Sequence, residues 1–239
     1  AGAIAEKFLK QLNISVTAYA KSIGPVEVSP ERMDLSEIPN KRFCLPDADS
    51  AKEAEHYLDQ KIAECDSVGG VVECVISGLP AGLGEPVFEK LDANLAKAIL
   101  SIGAVKGFEI GDGFAATKAC GSENNDEFRM DGDKIVKETN HAGGVLGGIS
   151  DGSDVIFRAA FKPTPSIAKS QETVTKDGEN IDLVIHGRHD PVVVPRAVVV
   201  VESMAAITAM DMLLMSMTSR LDLIQMFFQV ENVDDSPEQ

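Results

Sequence analysis

Two short segments late in the chain gather groups suited to handling an anion and a proton. Lys162-Pro163-Thr164-Pro165-Ser166 offers one ammonium and two hydroxyls on a loop stiffened by two prolines. That set suits a phosphate: a point charge, hydroxyl donors and little conformational entropy left to lose on binding. The same residue types also make an ordinary exposed turn. Gly187-Arg188-His189-Asp190-Pro191 puts an anion clamp and two titratable groups on a turn held by glycine and proline. Alone, such a triplet equally suits a surface ion-pair cluster. Charge distribution favours the chemical reading. The formal net charge is −16, yet residues 151–200 hold six Lys or Arg against seven acids, while the rest of the chain holds 16 against 31. The window spared the acidic excess contains both segments, as an anion site in an acidic protein requires.

Two glycine-rich stretches come earlier. Gly111-Asp112-Gly113-Phe114-Ala115-Ala116, with Asp131 about 20 residues on, has the outline of a dinucleotide fingerprint. It serves a pyrophosphate only if a helix starts at the glycines. Thr117 to Asp126 is polar and lacks helical periodicity, so a glycine turn ending a strand competes with a nicotinamide-dependent oxidoreductase. Asn140 to Ser150 contains Gly143, Gly144, Gly147 and Gly148. Such a run either lets backbone approach a bound group closely or forms a β-hairpin, with His141 a turn histidine making a local hydrogen bond.

The elements that must position these segments read as a mixture of strands and helices. Ile4, Phe8, Leu9 and Leu12 share a helical face, and Ile14 to Val28 alternates as strands broken at Gly24-Pro25. Asp47 to Ser67 reads as a helix with Ala51, Ala54, Leu58, Ile62 and Cys65 inward, and Glu85 to Ile102 as another with Phe88, Leu91, Leu95 and Ile99 inward. Strands are expected at Val71–Ile76, Val105–Ile110, Val155–Phe161 and near Asp182–Ile185, with a long irregular loop from Gly111 to Asn140. Val193 to Arg220 reads as a buried helix; within it, Glu202 and Asp211 interrupt the apolar run and argue against a membrane span.

A chain of 239 residues is long enough to bury its own core. Its acidity makes nucleic acid and membrane surfaces poor partners. Cys44, Cys65, Cys74 and Cys120 form no CxxC pair, which points to reduced thiols in the cytoplasm and to no metal site.

Taken in order, GFEIGDGF (107–114), GSENND (121–126), NHAGGVLGGISDG (140–152), FKPTPSI (161–167) and GRHDPVVVPRA (187–197) resemble the successive blocks of the chorismate synthase family. The resemblance implies an α+β fold with helices sandwiched between antiparallel β-sheets, truncated at the N-terminus. It makes residues 1–233 the C-terminal part of a single domain and 234–239 an acidic tail. It implies that 5-enolpyruvylshikimate 3-phosphate loses phosphate by 1,4-anti elimination to give chorismate, with reduced FMN required, in a cytoplasmic homotetramer. Whether FMN is reduced by this protein, which would bring in NADP, or by a separate reductase stays open.

By position, the resemblance gives cofactor contacts to Gly103, Ala104, Gly147 and the loop Lys162, Pro163, Thr164, Pro165 and Ser166. It gives Arg188 a place at the junction of flavin and substrate, and Asp190 the acid that works with the flavin during proton removal. None of His56, His141, His186 or His189 matches the family's acid–base histidines, which belong to its N-terminal portion. The chain's seven arginines are thin provision for a substrate with a phosphate and two carboxylates. The expectation is a polypeptide with little activity by itself; a non-catalytic flavin-binding or assembly remnant is the alternative.

Overall fold

The structure, a computed structural model, describes residues 1–40, 42–187 and 189–228. The expectations for Arg188 and for a tail at 234–239 lie outside the described residues. In chain order the elements are α1 (Gly2–Lys10), β1 (Ser15–Ile23), β2 (Val26–Glu27), α2 (Ala48–Ala63), β3 (Gly70–Ser77), α3 (Leu91–Leu100), β4 (Val105–Ile110), β5 (Phe128–Asp131), β6 (Lys134–Lys137), β7 (Val145–Leu146), β8 (Ile149–Ser150), β9 (Val155–Phe161), β10 (Gln171–Val174), β11 (Asn180–Leu183), α4 (Val194–Thr218) and α5 (Leu221–Phe228).

An antiparallel sheet in the order β2-β1-β3-β9-β4 organises the molecule, and the remaining strands form three separate hairpins. Strand alternation sends one set of side chains to a single face. Ala18, Cys74 and Phe157 lie in register there, as do Ala20, Val72 and Ala159, and all six are fully buried. Helix α4 crosses this face against β1 and β3, and packs on α1 and α3. Its buried residues include Ala197, Val201, Ala205, Ala206 and Ala209, small enough to bring the helix close to the sheet. Each fully buried side chain such as Phe157, Ile76 or Val72 contributes about 1.5–3 kcal/mol.

By length and composition alone α4 is apolar enough to cross a membrane, with a mean hydropathy of 1.9. In this fold it lies on the sheet, and the Glu202 carboxylate accepts a hydrogen bond from the Ala18 amide at 2.9 Å. The Ala20 amide donates to the Cys44 carbonyl at 2.9 Å. Two outward amides of β1 are thereby satisfied. The opposite sheet face carries a polar row in register, Tyr19, Glu73, Arg158 and Glu109. Tyr19 donates to Glu73, and Arg158 pairs with Glu109 at 2.9 Å.

Several expected elements are corrected by packing. In α1 the face toward α4 is Gly2, Ala5 and Leu9, while Ile4, Phe8 and Leu12 point outward. The reason is distance: a Cβ at Gly2 would fall 2.3 Å from Ser203 Cβ, so only small residues fit that contact. Helix α3 begins six residues later than Glu85, behind a 3-10 turn at Val87–Glu89, and leaves Phe88 exposed. Helix α2 ends at Ala63, so Cys65 falls outside it with φ +57 and Ile62 stays exposed. Its N-cap is Asp47, which accepts from the Asp49 amide at 3.0 Å and pairs with Arg32 at 2.9 Å. The stretch 111–140 is not all loop, because β5 and β6 pair across Gly132. A second hairpin, β10 with β11, extends the expected strand near Asp182.

Candidate functional site

The end of the sheet where β9 finishes and β4 starts brings together most of the residues singled out from the sequence. Ala104 sits in the left-handed region at φ +70, just before β4. That turn aims its carbonyl at Lys162, whose amide donates to it at 3.0 Å. Gly103 has open space where a Cβ would be, which leaves bare backbone beside the Lys162 loop.

The segment 65–69, between α2 and β3, ties this loop to the one that precedes α4. Ser67 Oγ donates to the Thr164 carbonyl at 2.7 Å, and Lys169 pairs with Asp66 at 3.2 Å. On the other side the Val68 amide donates to the Pro191 carbonyl at 2.8 Å, and Val68 and Val192 form a parallel bridge. Between the two loops lies a cleft of about 340 Å³ lined by Ile62, Cys65 to Ser67, Ile167, Ala168 and His189 to Pro191. Asp190 lines this cleft opposite Ile167 and Ala168, while none of residues 162–166 lines it, and the Asp190 carboxylate pairs with Arg196 in the first turn of α4. The Ser67 amide and Lys169 hold the Asp66 carboxyl below its ordinary value.

Gly69 is where this belt passes closest to β9. A Cβ there would lie 2.3 Å from the Phe161 carbonyl and 3.2 Å from Pro163, neither of which has a soft side chain to move. Gly69→Ala is expected to destabilise the protein by about 1–3 kcal/mol and to loosen the 162–168 loop. A urea titration checks it, and an unchanged midpoint contradicts the close approach.

Gly147 is not part of this cluster. With Gly148 it forms the turn between β7 and β8, both residues at positive φ, so the hairpin reading of that stretch describes the local backbone. The Gly148 carbonyl accepts from the Leu91 amide at 2.8 Å, at the start of α3. Gly103 lies beyond the far end of that ten-residue helix, about 15 Å away along its axis.

The Gly147 hairpin is braced by a buried charge network. Lys137 Nζ, at 2% side-chain exposure, lies 2.7 Å from Asp151 and 3.3 Å from Asp126, and donates to Asn140 Oδ1 at 3.2 Å. Asp126 also accepts from the His141 and Ala142 amides and from Thr139. Asn140 Oδ1 accepts from the Gly144 amide. Burial opposes the charge on Asp126, yet these donors outweigh it and hold its carboxyl far below the usual range. His141 is thus a turn histidine, with Nδ1 3.0 Å from Asp126.

The dinucleotide alternative fails on backbone. Gly113–Lys118 is a six-residue 3-10 turn rather than the start of an α-helix, and β4 runs antiparallel to β9. Among the described residues, no three His, Cys, Asp or Glu side chains are grouped to hold a metal ion.

The family model for chorismate synthase matches residues 1–214. The chain belongs to the chorismate synthase family. It is 58% identical over 230 residues to the chorismate synthase of Lachnoclostridium phytofermentans, covering 96% of this chain and 63% of that protein. Against the chorismate synthase of Agathobacter rectalis the identity is 60% over 229 residues, covering 96% and 62% respectively. A crystal structure of chorismate synthase superposes with a TM-score of 0.76 at 29% identity, over 95% of this chain and 66% of the other. The chain thus spans about 63% of the length of the curated relatives it matches.

Within this family setting, sequence reading missed the 65–69 belt, Arg196 as the partner of Asp190, and the Lys137 network. Only the last had a signal: Asp126, Asn140 and Asp151 all stand inside the quoted blocks, where buried polar residues hold glycine-rich backbone in shape.

Proposed function

We propose that this chain carries the cofactor-binding part of chorismate synthase. The reaction is the 1,4-anti elimination of phosphate from 5-enolpyruvylshikimate 3-phosphate to give chorismate, with reduced FMN. The observation that supports this reading is the 65–69 belt, which hydrogen-bonds to the Lys162 loop at the Thr164 carbonyl and to the Asp190 segment at the Pro191 carbonyl, so that two segments far apart in sequence lie side by side. The donors of the Lys162 loop suit a phosphorylated planar cofactor. Lys162 with the Thr164 and Ser166 hydroxyls would hold the phosphate, and the bare backbone at Gly103 would let a flat ring approach. Ile62, Ile167, Ala168 and Pro191 give the cleft apolar surface.

When bound, reduced FMN supplies the electron density that helps the phosphate depart. The chain's own part is to bind, orient and hold a proton. Asp190, oriented by Arg196, would hold the proton taken from the substrate ring at its carboxylate. Arg188 would stand two residues away as the anion clamp between cofactor and substrate. The whole enzyme is read as a cytoplasmic homotetramer, with residues 1–233 part of one domain.

Titrating the 239-residue chain with FMN, then assaying chorismate formation under reducing conditions, tests this proposal. The expected result is flavin binding with little turnover, since seven arginines serve a trianionic substrate poorly. Absence of flavin binding contradicts the cofactor assignment, and robust turnover contradicts the expectation of low activity.

A further inference from the structure

The turn ahead of α3 holds a strained residue in the open. Val87 has φ +61, a left-handed conformation that a β-branched side chain adopts only when its surroundings force it. Here they do. The Glu85 amide donates to the Glu89 carbonyl at 2.9 Å, Asn94 Nδ2 donates to the Glu89 carboxylate at 3.0 Å, and Ser219 Oγ donates to the Glu85 carboxylate at 3.1 Å. What this braced turn presents is Phe88, 84% exposed, with Val87 beside it at 65%. Strain that displays an aromatic ring to solvent adds nothing to the packing of the chain itself.

A run of hydrogen bonds leads from this turn to an apolar cleft. The Leu91 amide, just past the turn, donates to the Gly148 carbonyl, in the hairpin whose Leu146 and Ile149 are exposed. Next to it the Gly82 amide donates to the Ser150 carbonyl at 2.7 Å and the Leu83 amide to Ser150 Oγ at 2.9 Å. Ala81 and Gly152 then face the β5–β6 hairpin across a cleft of about 700 Å³, whose lining includes Phe128, Ile135 and Val136. Strand alternation puts Phe128 and Met130 on one face of that hairpin, with Ile135 directly opposite Met130. All three are exposed, Ile135 at 72%.

A protruding ring and an apolar cleft on one continuous surface are what a two-fold contact requires, because each copy must offer both halves of the fit. The area agrees. At roughly 200 Å² for a fully exposed side chain of this size, the exposed apolar side chains of the turn and the two hairpins present on the order of 800 Å². One partner in a standard interface contributes about that much, whereas the largest apolar patch of a monomer is ordinarily about 300–600 Å².

We infer that this face is a contact surface for a second copy of the chain, with Phe88 of each copy seated in the other's cleft beside Ile135. The inference goes beyond the reading of a homotetramer by naming a face, and it does not depend on the cofactor assignment.

Sedimentation velocity of the 239-residue chain across micromolar concentrations is expected to show a monomer–dimer equilibrium. Phe88→Asp and Ile135→Arg, both at exposed positions, are each expected to weaken the dimer about a hundredfold and to leave the circular dichroism of the chain unchanged. Mixing the two variants is expected to restore dimer. The mixed pair keeps one unaltered ring-in-cleft contact, and at the other it sets the introduced carboxylate against the introduced guanidinium. A chain that is monomeric throughout overturns the proposal, and so do mixed variants that stay apart. Ile4→Asp, on the exposed side of α1, is expected to leave the dimer intact. If it dissociates the dimer and Phe88→Asp does not, the copies meet on α1 and the proposal falls. It falls as well if the unaltered chain binds phosphatidylcholine vesicles and Phe88→Asp does not, which gives the face to a lipid surface. Dissociation of the dimer by the part of the Lachnoclostridium phytofermentans enzyme that this chain does not match gives the face to that part, with the same consequence.

Discussion

Lys137→Met is expected to destabilise the protein by about 3–5 kcal/mol, because it strands Asp126 and Asp151 in the interior without their common cation. For a chain of this size that corresponds to a thermal midpoint lower by roughly 6–20 °C. The response to acid separates this cause from simple loss of packing. In the unaltered protein the Asp126 carboxyl is held below its unfolded value, so its contribution is complete above about pH 4 and is lost as pH falls further. In Lys137→Met the two aspartates repel each other and resist ionisation, so lowering the pH from 7 toward 5 is expected to recover stability. Calorimetry across that range decides it, and a deficit that does not change with pH removes the electrostatic explanation. The double change Lys137→Met with Asp126→Asn is expected to be less destabilised than the single one.

The second large effect concerns the anion loop. Lys162→Gln is expected to weaken FMN binding about 10–100-fold through loss of a charge-assisted contact to the phosphate. Riboflavin has the same ring system and no phosphate, so its affinity is expected to stay unchanged. The Lys162 side chain is exposed, so the folded chain does not need it for packing. Equal losses for both flavins place Lys162 at the ring instead, and no loss for either removes it from the site.

How far the sequence can be read depends on which force decides each element. Strands β3, β4 and β9 were legible because each is a short run rich in β-branched and aromatic residues, and β9 alternates between buried and less buried positions. Helix α4 was legible from the length of its apolar run. The hairpin of β5 and β6 was overlooked although Asp131-Gly132 is a strong turn signal, because the polar residues around it suggested a loop. The outward face of α1 was misjudged because periodicity identifies an apolar face and says nothing about how close a neighbour comes. There Gly2 and Ser203 set the distance, and the larger Ile4 and Phe8 do not fit.

The site was legible as motifs and not as geometry. Lys162 and Asp190 were both marked by residue type, but what joins them is Ser67 and Val68, ordinary residues whose role comes from hydrogen bonds to the Thr164 and Pro191 carbonyls. Backbone acceptors leave no trace in side-chain chemistry. For the same reason Gly147, marked by the same glycine logic as its neighbours, gave no hint that α3 would separate it from Gly103.

The capping of β1 by Glu202 and by the Cys44 carbonyl bears on how copies of the chain can meet. A strand arriving from another molecule needs a row of free amides to zip onto, and on this side two of them already have partners. Strand invasion from that flank is blocked without a bulky shield, by one carboxylate and one carbonyl. The outermost strands of this sheet are β4 and the two-residue β2, and a mutation that frees the Ala18 amide, such as Glu202→Ala, would expose more of β1 beside β2 to a strand from another copy.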